Sequence, residues 1–150
     1  MEQLGFNKIK LTNLKQFYDS RGAVLHMLRN DDEDFVSFGE CYFSEVLPGV
    51  IKGWKRHKIQ TQNITVPVGK IKFVFYQNSK YESSNNIYEL VLGRPENYVR
   101  LKIPPGIWYS FSCISEQNAL IANCVDIPHD PNETETMNLN NNIIPYNWSK

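Results

Sequence analysis

The sequence lacks an excess of charge of either sign: sixteen Lys and Arg stand against sixteen Asp and Glu in 150 residues. With no long single-sign run either, a broad electropositive face for duplex nucleic acid or anionic lipid is not expected, and an anionic ligand has to be met by a few local cations. No run approaches the roughly 20 apolar residues of a membrane span. Met1 to Gly5 offers no basic flank leading into an apolar stretch, so secretion is not expected. Cysteine is scarce: Cys41, Cys113 and Cys124 are an odd number without CxxC spacing. Such thiols read as small hydrophobes of a reducing cytoplasm rather than as a disulfide frame. Helical periodicity, an internal repeat and an interdomain linker are all missing, so a chain of this length reads as one domain over residues 1–150.

What is present favours sheet. Eight Tyr, eight Phe and three Trp give 13% aromatics within 41% hydrophobic residues, and β-branched and aromatic side chains suit a pleated surface. After the turn Asp19-Ser20-Arg21-Gly22, Ala23 to Leu28 reads as a first buried strand. Further strands are predicted over Glu40 to Val46, Val50 to His57, Asn63 to Val66, Lys70 to Tyr76, Ile87 to Leu92, Tyr98 to Ile103, Ile107 to Ser112 and Ala119 to Val125. Pro48-Gly49, Val68-Gly69, Asn78-Ser79, Ser83 to Asn86, Gly93-Arg94-Pro95 and Pro104-Pro105-Gly106 punctuate them. A turn about every 8 to 12 residues is the cadence of a sandwich or barrel. In Lys70 to Tyr76 one face carries Ile71, Phe73 and Phe75, the other Lys70, Lys72, Val74 and Tyr76. Both faces are then covered, or one lines a polar cavity, as a jelly roll allows. The tail from residue 127 is polar, but Ile143, Ile144, Tyr146 and Trp148 are placed to dock on the barrel or on a partner.

Gly49 to Gly69 has the spacing G(x5)HxH(x4)E(x6)G of the first cupin motif, with Lys55, His57 and Gln62 at the three ligand positions. The second motif, PxG(xx)H(xxx)N, is echoed by Pro104-Pro105-Gly106 with Tyr109 at its His position and Cys113 at its Asn position. A metal ion wants neutral imidazoles and a carboxylate, and a protonated Lys55 would repel it. The predicted fold is therefore an all-β, cupin-type double-stranded β-helix that keeps its cavity without a metal or other cofactor.

Among metal-free cupins the chain resembles the dTDP-4-dehydrorhamnose 3,5-epimerase family. The resemblance spans about residues 19 to 126 and rests on Asp19-Ser20-Arg21-Gly22, on Gly49-Val50-Ile51-Lys52-Gly53-Trp54, and on Lys102-Ile103-Pro104-Pro105-Gly106 through Phe111. It implies proton abstraction next to the ketone of a nucleotide-linked, dTDP-type 4-keto-6-deoxy sugar, in deoxysugar and cell-surface polysaccharide biosynthesis. With an open sheet edge, it also suggests a homodimer, which joins the cytoplasmic setting and the absence of nucleic-acid and membrane partners read above from thiols, charge and hydropathy. The departures are specific. The family's basic His is Lys55, its neighbouring Arg is Lys52, the His after PPG is Tyr109, its acidic Tyr aligns with Ala122, and the Asp behind its base falls near Asn141.

On these residues His57 is the candidate base, since imidazole titrates near neutrality and Lys55 beside it favours the proton-accepting form. Lys55 is a cation for the enolate or a proton shuttle, and Tyr109 is an alternative acid. Arg21 and Lys52 are placed to hold the diphosphate. Gln62 and Asn63 suit sugar hydroxyls, and Trp54 and Tyr76 suit stacking on sugar or base. His26 and His129 read as structural. Two alternatives stay open. A sugar 3,4-ketoisomerase is similar over Gly53 to Lys58 and retains His57 of its GxHAHK segment, and a non-catalytic sugar-binding cupin is consistent with Lys55 and Ala122.

Overall fold

Alternation of apolar and polar residues between Gly- and Pro-bearing turns yields strands throughout the computed structural model, which describes residues 8–77 and 86–149. The strands are β1 (Lys10–Asn13), β2 (Gln16–Asp19), β3 (Gly22–Leu25), β4 (Glu40–Val46), β5 (Ile51–His57), β6 (Gln62–Val68), β7 (Lys70–Tyr76), β8 (Ile87–Gly93), β9 (Val99–Ile103), β10 (Trp108–Cys113), β11 (Ala119–Val125) and β12 (Thr134–Met137). Among the described residues the one helical piece is a 3₁₀ turn, Pro131–Glu133. The Met1 to Gly5 segment, the Asn78-Ser79 turn and Ser83 to Asn85 lie outside the described residues.

Two five-stranded antiparallel sheets face each other, β1-β9-β6-β11-β4 and β12-β5-β10-β7-β8, and β2-β3 forms a separate hairpin. This is the all-β jelly roll expected, built of two unclosed sheets. Between them Ile64 and Val66 of β6, Ile71, Phe73 and Phe75 of β7, and Leu101 and Ile103 of β9 are buried. Each fully buried side chain of this kind contributes about 1.5–3 kcal/mol. The β6–β7 turn depends on Gly69, at φ 76°, where an added Cβ would come within 2.7 Å of the Ala119 Cα.

Both faces of β7 are covered. Val74 and Tyr76 point away from the main core and join Trp54, Trp108 and Ile144 in a second cluster that Tyr146 and Trp148 complete. The tail therefore docks on its own barrel. On the outer face of the first sheet, Arg100 is only 2% exposed. The 26–38 segment encloses it, and its guanidinium bonds the Met27 carbonyl, Asp32 and Asp34. Cys113 is buried, whereas Cys124 is half-buried opposite exposed Cys41, and all three are free thiols.

One strand expectation needs correction. Ala23 to Leu28 is not a buried strand: β3 ends at Leu25, and Val24 is 62% exposed. β3 pairs only with β2, and the chain beyond it runs on without strand pairing over Arg100.

Candidate active site

A cavity of about 280 Å³ opens between the sheets, lined on one wall by Lys52, Lys55, Tyr109 and Phe111 and on the other by Tyr42 and Asn123. Regular alternation would send Lys52 and Lys55, three residues apart, to opposite faces. A β-bulge prevents this: Tyr109 pairs with Lys55 but Phe111 with Lys52, so β5 spends an extra residue and both lysines reach the cavity. Two cations thus converge on one space in a chain of zero net charge.

Behind that wall lies a buried relay. His57 Nδ1 is 2.6 Å from Glu133 Oε1, and His57 Nε2 is 3.0 Å from the Tyr109 hydroxyl. The second Glu133 oxygen accepts from the backbone N–H groups of Lys58, Ile59 and Gln60. Burial alone would raise the Glu133 pKa. The hydrogen bonds from His57 and from the Ile59 and Gln60 amides outweigh it and bring the pKa down to about 2. Burial lowers the His57 pKa below its usual value against the opposing pull of Glu133, with Lys55 and His129 adding to the depression. The imidazole is therefore neutral at pH 7. An ionised carboxylate can only accept, so Nδ1–H donates to Glu133 and Nε2 accepts from Tyr109 O–H. Burial pushes the Tyr109 phenol far up, so it rests protonated.

Glu133 was not among the residues singled out in the sequence, where its role fell near Asn141. The local signal is the capping pattern Asp130-Pro131-Asn132: the Asp130 side chain accepts from Asn132 N–H, and Pro131 opens the 3₁₀ turn. The turn then delivers the chain to β12, which pairs along β5 with Thr134 opposite His57.

The facing wall is an amide network. Asn123 Nδ2 donates to Tyr42 Oη at 3.1 Å and to Gln62 Oε1 at 2.6 Å, and Gln62 donates on to Gln60. Gln62 is fully buried behind Asn123, so it supports the wall and does not reach a ligand, contrary to the direct contact expected. Asn63 turns outward, and its amide bonds the Cys124 carbonyl. Trp54 and Tyr76 are also corrected: both lie in the outer cluster under the tail, where the apolar burial of Ile144 and Tyr146 claims them. Ala122 likewise faces away, between cavity-lining Ile121 and Asn123. Arg21 sits in the β2–β3 turn, exposed and paired with Asp19 at 2.7 Å, outside the cavity of its own chain.

The donors do not fit a metal ion. Both His57 nitrogens are engaged, and among the described residues no three His, Cys, Asp or Glu side chains converge as ligands. A larger groove of about 490 Å³ lies beside Arg100 on the outer face. Its two arginines are already paired, Arg29 with Asp31 and Arg100 with Asp32, so the inter-sheet cavity is the better candidate site.

No family model matches the chain. A spore coat polysaccharide biosynthesis protein, SpsL of Bacillus subtilis strain 168, is 24% identical over 146 residues, 94% of this chain and 95% of that protein. The structure of a dTDP-4-dehydrorhamnose 3,5-epimerase from Bacillus anthracis strain Ames, with TDP and pyrophosphate bound, superposes with a TM-score of 0.78 at 21% identity. That match covers 96% of this chain and 87% of the other, and it shows a common fold. A dTDP-sugar isomerase from Desulfovibrio desulfuricans G20 is 44% identical with a TM-score of 0.90, over 95% of this chain and 92% of its own. With an inter-sheet cavity and a 44% likeness over nearly its whole length, the chain belongs to the dTDP-sugar isomerase family.

Proposed function

We propose that this protein is an isomerase of the epimerase type, acting on a nucleotide-linked 4-keto-6-deoxy sugar by proton transfer next to the carbonyl. The observation that carries the reading is the Glu133–His57–Tyr109 relay, which ends at a cavity holding Lys52 and Lys55. The sugar C–H proton passes to the Tyr109 oxygen while the Tyr109 O–H proton passes to His57 Nε2. The imidazolium so formed is stabilised by Glu133, and the C–H electron pair moves onto the ketone oxygen as an enolate. Lys55 stabilises that oxygen, and Lys52 with Lys55 meets the diphosphate charge. His57 is thus the proton acceptor through Tyr109, which stands between it and the substrate.

Solvent deuterium tests this. Incubation with a dTDP-4-keto-6-deoxyhexose in heavy water is expected to label a carbon flanking the ketone with inversion there. A labelled product with its carbonyl moved along the ring would replace the epimerase with a ketoisomerase, and no label with several such sugars would leave a binding module.

The finer setting is also proposed. Phe17, Tyr18 and Val24 on the hairpin are each more than half exposed, which fits a homodimer in which the hairpin meets a second copy and Arg21 reaches that copy's nucleotide. Three free thiols fit the cytoplasm. Among the described residues no helix is long and apolar enough to cross a membrane.

A further inference from the structure

Inversion at a carbon needs a proton removed from one face and a proton returned from the other. Lys52, Lys55 and Tyr109 all stand on one sheet, on β5 and β10. A return from the opposite face has to come from the other sheet. There the cavity is lined by Tyr42 and Ser44 of β4, Ile64 of β6, and Ile121 and Asn123 of β11. An amide and two isoleucines carry no transferable proton, and an aliphatic hydroxyl is far less acidic than a phenol.

The hydrogen bonds around Tyr42 aim its proton. Asn123 Oδ1 accepts from the backbone N–H of Asn63 at 3.2 Å, which fixes which end of the amide is oxygen. Its Nδ2 hydrogens then go to Gln62 Oε1 and to Tyr42 Oη. Because Tyr42 Oη receives a hydrogen from Asn123, its own O–H is left to point into the cavity. Asn123 and Tyr42 are register partners on neighbouring strands, so the contact is built into the sheet. Tyr42 is half-buried and lines the same cavity as Tyr109. Burial, with Glu40 and Glu133 adding their charge, raises its pKa against the Asn123 bond and keeps the phenol protonated.

We infer that Tyr42 is the second proton-transfer residue of the site, returning a proton to the sugar carbon from the wall that faces Tyr109. The inference rests on the epimerase reading above. In the step the Tyr42 O–H bond breaks and a C–H bond forms on the face opposite the one deprotonated, while the enolate electron pair supplies the new bond and the ketone is restored. Tyr42 phenolate regains its proton from water at the open mouth, and His57 gives up the one it received. The net change is inversion with one solvent hydrogen incorporated.

The test is Tyr42→Phe, which keeps the ring and deletes only the oxygen, assayed in heavy water on dTDP-4-keto-6-deoxyglucose. Inversion is expected to fall 100-fold or more, while recovered substrate still gains deuterium with its configuration unchanged, within tenfold of the parent rate. Inversion at the parent rate would overturn the proposal and leave the function intact. So would loss of exchange and inversion together in a variant that keeps the parent melting temperature, since Tyr42 would then serve the first transfer. A parent protein that neither exchanges nor inverts any such sugar overturns the functional reading and the role of Tyr42 with it.

Discussion

Replacing His57 by Asn keeps a hydrogen-bonding side chain of similar size and deletes the basic nitrogen, so exchange at the sugar carbon is expected to drop about 100-fold or more. Tyr109→Phe should do the same, and the double variant should be little worse, because the two groups act in series. Mass spectrometry of deuterium uptake reads both; additive losses would place them in separate steps. Lys55→Met should slow exchange as well, through loss of the cation beside the enolate. Glu133 carries a pH signature. Its folded pKa of about 2 lies below the ordinary value of 4.5. It therefore adds stability above pH 4.5 that disappears as pH falls through 2, at most on the order of 3 kcal/mol. Urea midpoints should fall across that window for the parent, and the fall should be shallower for Glu133→Gln. Parallel falls would mean that Glu133 is not the group titrating. His57, Lys55 and Tyr109 could be named from motif spacing, and Lys52 from the family resemblance. Glu133 and Tyr42 could not, because what makes them chemical is a partner on a distant strand: Glu133 is 76 residues from His57, and Tyr42 is 81 from Asn123.

Seven-residue strands rich in apolar side chains and set off by turn residues were the legible ones. β4, β7 and β11 run over the residues their patterns predict, β5, β8 and β9 differ by one at an end, and β10 is shifted by one at both. β1, β2 and β12 went unread, since four-residue polar strands such as Lys10–Asn13 and Thr134–Met137 have too little apolar content to signal. They are sheet by virtue of an edge to pair with, β9 for β1 and β5 for β12. The β5 bulge was equally silent, yet it decides where Lys52 points. Turns make a sharper prediction. Gly69→Ala combines a positive φ with a Cβ 2.7 Å from backbone, whereas Gly106, also at positive φ, has open space around it. The first change is expected to destabilise by about 2 kcal/mol or more, and Gly106→Ala by about 1. Equal urea midpoints for the two variants would remove the close approach from the account.

For the whole molecule, an exposed hairpin and a cavity without arginine predict association. Sedimentation at micromolar concentration is expected to show a dimer, and Phe17→Ser combined with Val24→Ser should shift it to monomer with the sheets' melting temperature retained. A monomeric parent would leave Arg21 without a ligand to meet. The 3₁₀ turn that presents Glu133 has a consequence for how the protein is made. Strands up to β11 can form the first sheet and all of the second but its β12 edge before residues 130 to 148 are added, yet at that stage His57 is an imidazole with no carboxylate and the outer face over Trp54 and Trp108 is bare. Emergence of residues 130 to 148 then supplies the carboxylate and the cover in one movement. A nascent chain therefore acquires its shape before its chemistry, and gains the carboxylate behind its base together with the cover over Trp54 and Trp108.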